Sequence, residues 1–171
     1  GTNAQEGSFF VGVTTLYTEQ EVSCIVDAAV GASKAASILA LYPLTVGADN
    51  RPVLVKLLTD LLFGCGTREL ASARANASAP TWVYEFLRYP SCPLIWGSLA
   101  CAPAGSCPGP AHTYEIPYVF NNLAEQTARA NASCRLANDD LTLAKTISGL
   151  WGWFARNGEP VPSWPRFDRT R

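Results

Sequence analysis

The sequence predicts an α/β protein, rich in helix, whose few strands belong to a larger sheet. Two observations carry this. About five stretches have helical spacing or helix start and stop signals, whereas one segment, 81–88, reads as a strand. That strand is largely apolar on both faces, as in a buried sheet, and its N–H and C=O groups need a ladder partner that the sequence does not reveal. Its partners are therefore expected elsewhere in a larger protein. With 48% hydrophobic and 16% charged residues, the 171-residue chain can bury a core, which excludes disorder.

Residues 1–17 open with small polar residues and then Phe9-Phe10, a pattern expected for a turn leaving a strand that lies upstream. Thr18 and Glu21 form a T-x-x-E capping box, so a helix is expected to start there. A second helical stretch covers 32–42 and must stop before Pro43. From Asn50 a third begins, with Pro52 in its first turn and Val53, Leu54, Leu57, Leu58, Leu61 and Leu62 at helical spacing. Gly64 is expected to close it, and 67–75 to form another helix. In 81–88, Trp82, Tyr84 and Phe86 alternate with Val83, Glu85 and Leu87. Residues 89–111 carry five prolines and three cysteines and read as an irregular excursion. The last helix is expected to be capped by Asn138, with Asp139 and Asp140 at the positive end of its dipole. Leu143, Ile147, Leu150 and Phe154 form its apolar stripe, and Gly158 and Pro160 end it.

The net charge of -1 leaves no electrostatic footprint for nucleic acid or an anionic membrane. No apolar run approaches the ~20 residues of a transmembrane segment. Methionine is absent, so Gly1 is expected to be a processed end or a cut rather than a translational start. The even count of six cysteines fits a disulfide framework in an oxidising compartment. Zinc is disfavoured, because the closest pair, Cys101 and Cys107, has five residues between and there is a single histidine. The pairing is open, since six cysteines allow about 15 connectivities, and a local loop among Cys92, Cys101 and Cys107 is one expectation. Asn76-Ala77-Ser78 and Asn131-Ala132-Ser133 are candidate N-glycosylation acceptors. Together these features favour a secreted, extracellular protein. No cofactor is expected.

His112 is the only histidine and lies just beyond the buried strand and its loop. In α/β sheets, reactive groups sit on loops beyond the carboxyl ends of strands, so an imidazole there can reach a nucleophile on a neighbouring strand. Glu6 lies on a loop that also leaves a strand, and a carboxylate on one ring nitrogen fixes the tautomer and stabilises the imidazolium. Taken singly, each is more ordinary: a structural histidine and a solvated turn carboxylate. No G-x-S-x-G nucleophile elbow and no Gly-rich oxyanion motif occurs in the chain.

The run from Gly1 to Phe10, GTNAQEGSFF, resembles the segment around the triad acid of type-B carboxylesterases, the family of cholinesterases and related lipases. The run from Ala111 to Phe120, AHTYEIPYVF, resembles the same family's histidine segment. The tail from Trp151 to Pro160, followed by Trp164-Pro165, is similar to its C-terminal helix and exit, and 60–65 and 82–86 resemble intervening segments. The resemblance covers essentially the whole chain, in the family's order. It implies that residues 1–171 are the C-terminal portion of an α/β-hydrolase domain with a Ser-Glu-His triad, in which Glu6 is the acid and His112 the base. The nucleophilic serine and the oxyanion donors would belong to the N-terminal portion of the same hydrolase, the chain's expected partner, and the substrate would be a small-molecule or lipid ester. Tyr114 departs from the small residue expected two positions after the histidine, and the tail after Pro165 is short. Two rivals are a non-catalytic esterase-like protein for binding or adhesion and a self-standing secreted disulfide domain.

Overall fold

The structure, a computed structural model, describes residues 1–11, 16–94, 109–131 and 133–168. Two short strands, β1 (Thr2–Asn3) and β2 (Glu85–Phe86), pair in parallel, Thr2 with Glu85 and Asn3 with Phe86. The Thr2 and Ala4 amides extend the ladder by donating to the Tyr84 and Phe86 carbonyls at 3.2 and 3.0 Å. The strand expected at 81–88 thus has a ladder partner within the chain. Thr2 and Asn3 belong to a strand themselves, rather than only to a turn leaving one.

The first four α-helices lie between the two strands. α1 (Glu19–Val30) starts at the Thr18–Glu21 capping box, with both reciprocal hydrogen bonds formed. Gly31, at φ 84, turns the chain directly into α2 (Ala32–Leu41), a left-handed position that favours glycine. The buried Asn50 side chain closes the next loop by accepting from the Thr45 amide and donating to the Thr45 and Ala48 carbonyls. α3 (Arg51–Thr59) follows, with Pro52 in its first turn as expected.

Gly64 does not end this helix. A π-helical turn over Asp60–Gly64 joins α3 to α4 (Cys65–Asn76), and Gly64 itself keeps right-handed helical angles. The glycine that ends a helix commonly does so at positive φ, which Gly64 does not adopt. The apolar face also narrows: Leu54 is buried, whereas Leu61 and Leu62 are exposed.

After β2 come α5 (Ile116–Val119), α6 (Leu123–Ala130) and α7 (Asn138–Asn157). Asn138 is the first residue of α7 rather than its cap; Ala137 occupies the cap position and makes no side-chain hydrogen bond there. Gly158 ends α7 in the left-handed conformation, its amide donating to the Phe154 carbonyl.

Two apolar clusters hold the described chain together. One joins Val22 and Val26 of α1 to Ala35 of α2, Leu54 of α3 and Val11. The other joins Phe86 of β2 and Leu94 to Ala111, Tyr114, Tyr118 of α5, Leu123 of α6 and Ala144 of α7. Tyr114, the residue that departs from the family's small one, is turned into this second core and is 2% exposed.

A buried carboxylate ties the second cluster to the segment after β2. Asp140, fully buried on α7, accepts from Arg88 Nε at 2.6 Å, from Tyr118 OH at 2.9 Å, and from the Ser91 amide and hydroxyl. Burial pushes the Asp140 carboxyl up. The hydrogen bonds from Arg88, Ser91 and Tyr118 more than offset this and hold it below its ordinary value. Its role is therefore that of a core anchor rather than of a solvent-exposed charge at a helix end. Cys92 pairs with Cys134, not within the local loop expected among Cys92, Cys101 and Cys107; Cys101 and Cys107 lie outside the described residues. Cys24 and Cys65 are free and exposed. Among the described residues, no helix is long and apolar enough to cross a membrane.

Candidate active site

β1 runs into a 3-10 turn, Glu6–Phe9, that presents Glu6 at the end of the strand. The turn closes through the Ser8 amide and hydroxyl, both donating to the Gln5 carbonyl at 2.9 and 2.6 Å. It packs closely on α3. The Gly7 amide donates to Thr59 Oγ1 at 2.9 Å, and that hydroxyl donates onward to the Val55 carbonyl at 2.8 Å. A Cβ at Gly7 would stand 2.3 Å from the Val55 carbonyl oxygen, so only glycine fits.

The histidine segment leaves the excursion at Gly109 and runs past β2. The Gln5 amide donates to the Pro110 carbonyl at 3.1 Å, and Gln5 Oε1 accepts from the Gly109 amide at 3.0 Å. These bonds bring together two segments that lie far apart in sequence. Thr113, next to His112, has φ 75. That is an unfavourable region for a β-branched residue, which persists only where its surroundings hold it.

Glu6 and His112 meet here. Glu6 Oε2 is 2.7 Å from His112 Nδ1, and Glu6 Oε1 accepts from the Asn3 amide at 2.8 Å. Both carboxylate oxygens are thus engaged, in a side chain that is 7% exposed, while the imidazole is 37% exposed. A solvated turn carboxylate would look different. The pair is a buried carboxylate on Nδ1 of an imidazole that solvent reaches, a geometry that can fix the ring's tautomer and orientation.

Three aromatic rings surround the imidazole. Phe63 has its centroid 4.9 Å from that of His112, Phe10 5.9 Å and Phe9 6.1 Å. Phe63 comes from the π-helical turn, a feature frequent at functional sites because it re-aims a side chain without ending the helix. Sequence reasoning missed Phe63, Thr59 and the bridging roles of Asn3 and Gln5. Phe9 and Phe10 could have been found from their position three and four residues after Glu6. Nothing in the helical pattern around Phe63 signals a π turn.

Asn76 is the last residue of α4 and is exposed. Asn131 follows α6 and is also exposed; its side-chain oxygen accepts from the Ser133 amide and hydroxyl at 3.1 and 2.7 Å.

Comparison with known proteins gives the fold and the family. The fold is that of part of an α/β-hydrolase: a thermophilic PNB esterase superposes with a TM-score of 0.66 at 28% identity, covering 98% of this chain and 31% of that one. Another structure of PNB esterase gives 0.68 at 25% identity over the same shares. The profile of the Carboxylesterase family matches residues 12–171, and the chain belongs to that family. Carboxylesterase 1C of Rattus norvegicus is 28% identical over 126 residues, which is 71% of this chain and 20% of that protein. Carboxylesterase 1F of Mus musculus is 27% identical over 139 residues, 77% and 22% of the respective lengths. The chain therefore spans about a fifth of these relatives.

Proposed function

We propose that the protein containing this chain hydrolyses carboxylic esters through an acyl-enzyme, with Glu6 as triad acid and His112 as general base and acid. The observation that carries this reading is the 2.7 Å contact between Glu6 Oε2 and His112 Nδ1, with Glu6 buried. A serine from the N-terminal portion of the hydrolase, upstream of residue 1, is the nucleophile. As its Oγ attacks the ester carbonyl, His112 Nε2 takes the hydroxyl proton, and Glu6 stabilises the imidazolium that forms. Collapse of the tetrahedral intermediate breaks the ester C–O bond, and the leaving alcohol takes the proton from His112. Water then attacks the acyl-enzyme, losing a proton to His112. The carboxylic acid leaves as that proton returns to the serine. Upstream backbone N–H groups hold the oxyanion in both steps.

The substrates are small-molecule or lipid esters, in keeping with the esterase names of the relatives. The protein is secreted and extracellular, a reading supported by the Cys92–Cys134 disulfide and by the exposure of both sequon asparagines, Asn76 and Asn131, as glycan acceptors.

The test is p-nitrophenyl acetate hydrolysis by the intact protein and by His112→Ala. The expected result is turnover in the first and its near-complete loss in the second, with the fold retained. Undiminished turnover in the variant overturns the assignment. An intact protein that folds and binds esters without turning them over is instead a non-catalytic esterase-like binding protein.

A further inference from the structure

We infer that Asn3 is a positioning residue that fixes His112 against Glu6, and that Glu115 is its anchor on the histidine side. The inference rests on the acid–base reading of Glu6 and His112, and it names what holds them in register.

Asn3 is 1% exposed and donates three hydrogen bonds. Its backbone amide reaches Glu6 Oε1 at 2.8 Å. Its side-chain nitrogen reaches the Ala111 carbonyl at 2.7 Å and Glu115 Oε2 at 2.5 Å. A carbonyl and a carboxylate both accept, so the orientation of the Asn3 amide is set by its partners. One residue therefore holds the acid with its main chain and the histidine segment with its side chain.

The two side-chain bonds land on either side of a specific stretch. Ala111 precedes His112, and Glu115 closes the turn that contains Thr113, the residue at φ 75. A backbone in that region relaxes unless both ends are held. Asn3 grips both ends, and relaxation of Thr113 would swing the neighbouring imidazole away from Glu6. The Gln5 contacts cannot substitute, because they end at Gly109 and Pro110, before the histidine. The chemistry also selects asparagine at this position. A primary amide offers two N–H donors from one planar nitrogen, a serine offers one, and an ionised aspartate offers none while adding a carboxylate beside Glu115.

Asn3 is buried and touches no substrate in this reading, so its loss should lower kcat and spare KM. Misplacing a catalytic group by about 1 Å can cost about 100-fold in rate. In the intact protein, Asn3→Ala and Glu115→Ala are expected to lower kcat for p-nitrophenyl acetate by about 10–100-fold, with KM within about twofold. Glu115→Gln keeps an acceptor facing the Asn3 amide and is expected to recover most of the loss.

Rates are taken per folded molecule, with the fold checked by near-UV circular dichroism. Should Asn3→Ala fail to fold, the Glu115 pair decides, because that side chain is half-buried. A folded Glu115→Ala with wild-type kcat overturns the inference. So does Glu115→Gln behaving like Glu115→Ala, or a rise in KM that accounts for the whole loss. His112→Ala, run alongside, separates the two levels. Loss of turnover in His112→Ala with normal kcat in the Asn3 and Glu115 variants sinks the clamp alone, whereas normal turnover in His112→Ala sinks the acid–base reading with it.

Discussion

The Thr59 hydroxyl accepts the Gly7 amide at 2.9 Å and so fastens helix α3 to the turn that carries Glu6. The contact is buried, and the same hydroxyl donates back to the Val55 carbonyl. The position of the Glu6 turn is therefore set by a helix that makes no contact of its own with the Glu6–His112 carboxylate–imidazole bond.

Thr59→Val keeps the shape and removes the acceptor, leaving the Gly7 N–H unpaired. The expected loss is about 1–3 kcal/mol of stability, measured by urea unfolding, and Thr59→Ser should restore most of it. Gly7→Ala is expected to be at least as damaging. Its Cβ would meet the Val55 carbonyl oxygen at 2.3 Å, so either α3 or the Glu6 turn must shift.

Glu6→Gln preserves size but replaces the carboxylate that faces His112 Nδ1. By analogy with triads in which the acid is neutralised, kcat on p-nitrophenyl esters should fall about 10³–10⁴-fold with little change in melting temperature. A drop below tenfold would argue against Glu6 as the triad acid.

Asp140 links acidity to stability. Its folded-state carboxyl is held below the ordinary value, so it stabilises the fold above the unfolded pKa, near 4. That stabilisation is lost as the pH falls through the lower, folded-state value. Asp140→Asn should flatten the acid side of a stability–pH curve. It should also cost about 2–3 kcal/mol at neutral pH, because Arg88 loses its charged partner.

Thiol chemistry should separate the cysteines. Maleimide labelling of the native protein, followed by peptide mapping, is expected to mark Cys24 and Cys65 and to spare Cys92 and Cys134 until a reductant is added. Removing the Cys92–Cys134 bridge by a double serine substitution should cost about 2–4 kcal/mol, given the long loop it closes.

What the sequence made legible was local. The Thr18–Glu21 box and the Gly158 stop each act within a few residues, and both appear as expected. Gly64 was misleading for the same reason: a local stop signal was overridden by a π turn that keeps the helix running. Asp140 looked like a dipole-facing charge because its partners, Arg88 and Ser91, lie some fifty positions away. Cys92 likewise pairs across 42 positions rather than with its near neighbours. Glu6 and His112 could be picked out by type and place. Thr59, Phe63 and Asn3 could not, because their roles exist only once α3, the π turn and β1 have converged.

The parallel pairing of β1 with β2 also sets how the chain tolerates changes in length. Everything from α1 to α4 is an excursion whose two ends are pinned by that ladder. Loop-closure entropy rises only with the logarithm of length, about 0.6 kcal/mol per doubling. Extra residues at the exposed turn around Val46 and Gly47 would therefore leave the distance between Glu6 and His112 almost untouched. A single residue inserted between Asn3 and Glu6 would shift the acid out of reach. Spacing is elastic across the helical excursion from Glu19 to Asn76 and rigid from Asn3 to Glu6.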